Sequence, residues 1–158
     1  LGHDTRKEPS FLTKIREATE EDVFDILVLA REFSKESPIT HKWNKEKTEH
    51  FIISAINNNN TIIFILEDKD EIVGAIVGII NEMYMSQTVV ATEMAWFVSK
   101  DYRGRKGSIM LMKTFEKWAE TNGANYICMG AIEGITELDK LYTKSGYFKS
   151  ETLYMRNV

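Results

Sequence analysis

The chain has 158 residues and a mass of 18.2 kDa, with 43% hydrophobic and 28% charged residues. Those values suit a single globular domain large enough for a proper core. A net charge of −4 and a pI of about 5.5 argue against a general nucleic-acid binder and leave a mild electrostatic bias toward cationic substrates. The longest apolar stretch, Ile72 to Ile80, is far short of the ~20 residues of a membrane span. With no signal-peptide pattern at the start, the default address is cytoplasmic. The single cysteine, Cys128, excludes an internal disulfide and reads as a buried, inert thiol in a strand. His3, His41 and His50 show no ligand spacing, so no metal site is expected.

Residues 1–10 are polar and aperiodic and read as a flexible arm or an expression remnant, leaving 11–158 as one domain. Thr13 to Glu17 predicts a strand. Val23, Ile26, Leu27, Leu29, Ala30 and Phe33 recur at helical spacing and predict a helix from about Glu20 to Ser34, with Thr19 as N-cap and acids in the first turn. Ser37-Pro38 breaks that helix, and Lys45 to Ile56 predicts a second one, ended by Asn57 to Asn60. Thr61 to Leu66 and Glu71 to Ile80 are β-branched runs joined as a hairpin; Glu82 to Ala91 reads as a mixed loop or the frayed end of that hairpin. Thr92 to Val98 is the next strand and Lys106 to Asn122 a long helix stopped by Gly123. Asn125 to Met129 reads as a buried strand and Thr136 to Lys144 as a short helix closed by Gly146. Tyr147-Phe148 and Thr152 to Arg156 are predicted to finish the chain as two antiparallel strands. The order βααβββαβαββ makes an α+β arrangement around one mixed sheet.

The most informative run is Arg103-Gly104-Arg105-Lys106-Gly107-Ser108-Ile109, between the strand ending at Val98 and the long helix. A strand that turns through a glycine-rich basic loop into a helix N-terminus presents unpaired N–H groups and the positive end of a dipole to an anion. Gly104 and Gly107 allow a tight turn and a close backbone approach. By itself the run serves equally well as a solvated basic turn.

Set in its surroundings, the run resembles the acetyl-coenzyme A signature of the GNAT N-acetyltransferases, usually Gln/Arg-x-x-Gly-x-Gly/Ala. Lys106 stands where the first signature glycine is usual and Ser108 in the last position, so the match is to a variant Arg-Gly-x-x-small loop. Ile15 to Val23 resembles the family's opening strand and first helix. Leu141-Tyr142-Thr143-Lys144-Ser145-Gly146-Tyr147 resembles its Leu-Tyr-x-x-x-Gly-Phe/Tyr helix end; the family's usual Asn is replaced by Ile135. The resemblance implies a mostly antiparallel sheet whose two central parallel strands splay apart. It also implies acetyl-CoA as cosubstrate, with the backbone of Trp96, Phe97 and Val98 facing the thioester and the loop 103–109 holding the pyrophosphate.

Amine acetylation needs a polarised thioester, a base for the ammonium proton and an acid for the departing thiolate. Tyr142 is the candidate acid, a phenol whose ordinary pKa of ~10 suits donation to a thiolate. Glu93 is the candidate base, with Glu82 and Glu133 as runners-up. In a regular strand Glu93 would share a face with Ala95 and Phe97, away from Trp96 and Val98; only a bulge would re-aim it. Phe115 and Trp118 read as helix core, Trp96 as a lining of the acceptor channel, and Met83-Tyr84-Met85 as a partly buried loop rather than a substrate lip. No placed nucleophile appears, so the expected reaction is direct attack by a primary amine in a ternary complex. The acceptor is a small molecule or a protein amine, and a homodimer is compatible with the pattern. A non-catalytic acyl-CoA-binding module is the alternative reading; nucleic acid and membrane are not expected partners.

Overall fold

The computed structural model describes residues 13–39, 41–132 and 134–158. The N-terminal arm and Glu133 lie outside the described residues. The chain forms two compact units, one reaching Cys128 and one from Met129 to Val158.

The first unit is built on a five-stranded sheet in the order β1-β2-β3-β4-β5. Its strands are β1 (Thr13–Glu17), β2 (Thr61–Asp68), β3 (Glu71–Glu82), β4 (Val89–Val98) and β5 (Tyr126–Cys128). The first four are antiparallel neighbours, and β5 runs parallel to β4. Helices α1 (Val23–Glu36) and α2 (Lys45–Asn57) bury Ile26, Leu27, Leu29, Ile52 and Ala55 against Ile63, Ile65, Ala75 and Val77 on one face. On the other face α3 (Lys106–Thr121) carries Leu111, Met112, Phe115 and Ala119, all 0% exposed. Full burial of such side chains is worth roughly 1.5–3 kcal/mol each. The sequence periodicity therefore settles which stripe of each helix faces the sheet.

Local chemistry ends the elements as expected. Lys69 and Asp70 both take positive φ (51° and 64°), which a two-residue turn between β2 and β3 requires. At the end of α3, Gly123 (φ 78°) donates to Glu120 O at 3.0 Å and Ala124 donates to Ala119 O at 3.0 Å. That pair of bonds closes the helix with a left-handed glycine. At its start, α1 is preceded by a short turn in which the Asp22 carboxylate accepts from Thr19 N–H at 2.7 Å. Arg16 on β1 then ties Asp22 (2.7 Å) to Glu67 (2.6 Å) on β2.

The second unit contains α4 (Thr136–Lys144). The two predicted closing strands are not formed: residues 147–158 carry no regular element. Phe148, Leu153, Tyr154 and Met155 are 75%, 84%, 93% and 75% exposed. Strand preference expresses fit to a pleated, half-buried surface, and these residues have none beneath them. Two boundaries also differ. β4 begins at Val89 because Val89, Val90 and Ala91 pair with Glu82, Asn81 and Ile80, which shrinks the preceding loop to 83–88. β5 keeps only three residues at the sheet edge, so Cys128 is exposed rather than buried.

Candidate functional site

β4 is where the sheet opens. It pairs with β5 only from Val90↔Tyr126 to Thr92↔Cys128, and from Glu93 to Val98 no strand among the described residues pairs on that side. Because β5 ends at Cys128 at the edge of the sheet, and is not one of two central strands that splay, the backbone along that side of β4 has no strand partner among the described residues. Trp96, Phe97 and Val98 lie on this stretch.

The same stretch contains a bulge. Val77 pairs with Ala95, but the next residue, Gly78, pairs with Glu93, so Met94 is the extra residue on β4. Cross-strand partners share a face. A Cβ on Gly78 would run into Phe115, and one on Gly74 would meet Val98 at 3.1 Å; both glycines therefore open toward the α3 face. Glu93 consequently lies on the face of Trp96 and Val98, and not with Ala95 and Phe97 as a regular strand would have it. Glu93 is partly buried there. Trp96 carries a buried Nε1–H that meets no hydrogen-bond acceptor among the described residues. An unmet buried donor costs about 1–3 kcal/mol, so it favours a bound acceptor.

β4 leads through a short turn at Lys100–Tyr102 into α3. Gly104 takes φ +69° with open space around it, a conformation that costs any other residue ~1–2 kcal/mol. Arg105 is the N-cap of α3, no side chain caps that end, and no acid stands in its first turn. The other three helices all carry acids there. The N-terminus of α3 thus has its dipole unopposed, with Arg105 and Lys106 exposed beside it.

The predicted loop residues divide into two groups. Arg103 is committed to the fold: Nε donates to Val98 O at 2.7 Å, NH2 pairs with Glu36 at 3.0 Å, and its guanidinium lies 5.0 Å from the Phe97 ring centroid. Ser108 is buried and its hydroxyl donates to Arg105 O at 2.7 Å. Gly107 faces inward: a Cβ there would sit 3.1 Å from Leu66 Cδ1 and 3.4 Å from Thr13 Cγ2. Its small size lets α3 approach β2 and β1. Gly104, Arg105 and Lys106 are exposed; the Ser108 and Ile109 N–H groups donate to Arg105 O at 3.1 and 3.4 Å, and Ile109 is half-buried in that turn.

In the second unit Tyr142 is buried, at 8% exposure, and its hydroxyl donates to Gly130 O at 2.8 Å. Tyr147 N–H donates to Tyr142 O at 3.0 Å and Gly146 N–H to Thr143 O at 3.2 Å, with Gly146 at φ +88°. The Tyr142 and Tyr147 rings pack at 5.6 Å. The Leu-Tyr-x-x-x-Gly-Tyr match is therefore a helix stop with its hydrophobic contact. That geometry fixes the Tyr142 ring whatever the hydroxyl does.

Of the remaining acids, Glu82 is the exposed last residue of β3. Met83, Tyr84 and Met85 are exposed (39%, 93% and 70%), not partly buried. A concavity of about 570 Å³ lined by Gln87, Thr88, Asn125 and Tyr126 opens at the other end of β4 and gathers no acid–base pair. Among the described residues no group of three or more His, Cys, Asp or Glu is disposed to hold a metal, and no helix is long and apolar enough to cross a membrane. Sequence reasoning missed Tyr102 and Asp68, which brace the loop (Tyr102 Oη to Asp68 Oδ2, 3.0 Å); the one signal was an aromatic immediately before Arg103.

Comparison with known proteins agrees with this fold. An aminoglycoside acetyltransferase, meta-AAC0020, from an uncultured soil metagenomic sample in complex with trehalose superposes with a TM-score of 0.75 at 17% identity, covering 96% of this chain and 99% of that one. The aminoglycoside N-acetyltransferase AAC(6')-Iy in complex with CoA gives 0.77 at 14%, covering 92% and 94%. A predicted acetyltransferase with acetyl-CoA from Clostridium acetobutylicum gives 0.76 at 14%, covering 92% and 96%. At such identities the likeness is one of fold. No curated protein sequence matches the chain. The profile of the Acetyltransferase (GNAT) family matches residues 21–147, most of the chain. By that profile match, and with the open edge of β4 and the uncapped α3 in keeping with it, this chain belongs to the GNAT acetyltransferase family.

Proposed function

We propose that the protein is an acetyl-CoA-dependent N-acetyltransferase that passes the acetyl group to a primary amine by direct attack in a ternary complex. The observation that carries this reading is the continuity of three features in one segment. The open edge of β4, the bulge at Met94 and the uncapped start of α3 follow one another between Glu93 and Ile109.

Acetyl-CoA supplies the activated acyl group as a thioester. The residues fit it. The N–H groups at the start of α3, with Lys106 beside them, suit the pyrophosphate, and Arg105 stands exposed at the rim of the same loop. The open edge at Trp96, Phe97 and Val98 suits the amide-bearing arm, and the unmet Trp96 Nε1–H supports an acceptor-bearing ligand there. Glu93, turned by the bulge onto the Trp96 face, takes the ammonium proton, directly or through water. Tyr142 gives its phenolic proton to the departing sulfur. Arg103, bonded to the Val98 carbonyl and to Glu36, braces β4 to α1.

The test is thiol release from acetyl-CoA with a panel of amines: small polyamine, aminoglycoside, free amino acid, peptide N-terminus and lysine side chain. Turnover with one class supports the reading. Tight coenzyme A binding with no turnover on any amine would leave the protein as an acyl-CoA-binding module.

A further inference from the structure

The loop's two arginines are held differently. Arg103 is engaged by Glu36 and the Val98 carbonyl. Arg105 is exposed, and among the described residues no carboxylate pairs with it. Its guanidinium lies 5.3 Å from the centroid of the Tyr102 ring. That ring is itself fixed, because the Tyr102 hydroxyl donates to Asp68 Oδ2 at 3.0 Å. Asp68 is 8% exposed, and its Oδ1 accepts from Thr13 Oγ1 at 2.8 Å. A buried carboxylate at the end of β2 thus sets the ring, and the ring sets the guanidinium.

A guanidinium over an aromatic face keeps its N–H groups in its own plane, pointing away from the ring and free for a bidentate contact. The bond to Asp68 pushes the Tyr102 phenol's pKa up, with Glu71 contributing less, so the ring stays a neutral donor. The stack holds the Arg105 charge beside Tyr102, whose hydroxyl reaches Asp68 at the end of β2. Coenzyme A has two kinds of phosphate. Its pyrophosphate suits backbone N–H groups at a helix start. Its 3′-phosphomonoester, with nearly two charges on one group, gains most from a planar charged fork.

We propose that Arg105, carried on Tyr102 and Asp68, receives the 3′-phosphate of coenzyme A and makes the protein select coenzyme A over dephospho-coenzyme A. Tyr102 and Asp68 are positioning residues in this arrangement. The inference rests on the coenzyme A reading above.

The experiment is calorimetric titration of both ligands into the wild type and into Arg105→Gln, Tyr102→Leu and Tyr102→Phe, with folding checked by circular dichroism. The wild type should prefer coenzyme A by about tenfold, the scale of a charge-assisted contact. Arg105→Gln should abolish the preference while dephospho-coenzyme A affinity stays within about twofold. Tyr102→Leu should lose most of the preference. Tyr102→Phe, which keeps the ring, should retain more of it, a rescue that a merely structural role would not give. Equal binding of the two ligands by the wild type, or an undiminished preference in folded Arg105→Gln, overturns the inference and leaves the coenzyme A reading standing. A wild type that binds neither ligand overturns both.

Discussion

Gly78 lies against the ring of Phe115 with no room for a methyl group between them. Gly78 also pairs with Glu93 at the β4 bulge, so one close contact joins the α3 core to the candidate base. Gly78→Ala should therefore destabilise the fold by about 1–3 kcal/mol, the cost of overpacking a tight core. Urea unfolding would show it. Adding Phe115→Leu should recover part of the loss, because the leucine leaves space where the ring edge was. A Gly78→Ala variant as stable as the wild type would mean that β3 and α3 separate more easily than their packing implies.

The two loop glycines should separate in their effects. Gly107→Ala brings a methyl group to 3.1 Å from Leu66 Cδ1, the movable end of a side chain, so it should cost up to about 1 kcal/mol and leave coenzyme A affinity within twofold. Gly104→Ala meets nothing in space but is strained at φ +69°, so the loop should relax away from its left-handed turn and binding should fall more. Thermal unfolding and calorimetry on both variants check this. The reverse order of effects would put the close backbone approach at Gly107.

The ion pairs beside β1 predict an acid-sensitive contribution to stability. The Arg16 hydrogen bond, followed by the Thr19 N–H, lowers the Asp22 carboxyl from 3.8 to about 2 against the opposing cost of burial. Glu67 is lowered as well, first by its Arg16 hydrogen bond. Both folded pKa values lie below the unfolded ones, so the contribution is complete above the unfolded carboxylate range and fades as pH falls toward about 2 for Asp22. For Asp22 it amounts to about 1–2 kcal/mol, allowing for the partial exposure of Arg16. The stability gap between wild type and Asp22→Asn should be widest near neutrality and should narrow below pH 4. A gap that holds constant to pH 2.5 would mean the carboxylate's charge contributes nothing.

The helices and hairpin were legible because their signals are local and redundant. Ile26, Leu27 and Leu29, the Lys69-Asp70 turn and Gly123 each repeat what neighbouring residues already say. The Glu93 face was not legible. Met94, Trp96 and Val98 alternate like a regular strand, and the bulge that breaks their phase comes from the pairing of β4 with β3. The division of labour in the loop was hidden for a similar reason. Arg103 and Arg105 look alike in sequence, and only Glu36 on α1 and Tyr102 on its Asp68 anchor distinguish them. The closing strands failed in the opposite way, since local preference was present without a surface to receive it.

The last prediction separates scaffold from chemistry at Tyr142. Its ring packs on Tyr147 at 5.6 Å, its backbone carbonyl closes α4, and its hydroxyl donates to Gly130 O at 2.8 Å. Tyr142→Phe keeps the first two contacts and removes the third. Losing one hydroxyl bond to a carbonyl should cost about 0.5–1.5 kcal/mol of stability. Coenzyme A affinity should be unchanged within a factor of two. If the hydroxyl also protonates the departing sulfur, kcat should fall by ~10² or more with KM little changed, the usual span for a positioned general acid. Glu93→Gln should instead remove the acidic limb of the kcat/KM profile while the pH dependence attributable to the acid persists. A Tyr142→Phe enzyme at full rate, with the expected small loss of stability, would make the phenol a helix-end packing group only. The proton would then come from water, and the Leu-Tyr-x-x-x-Gly-Tyr segment would owe its form entirely to the helix stop.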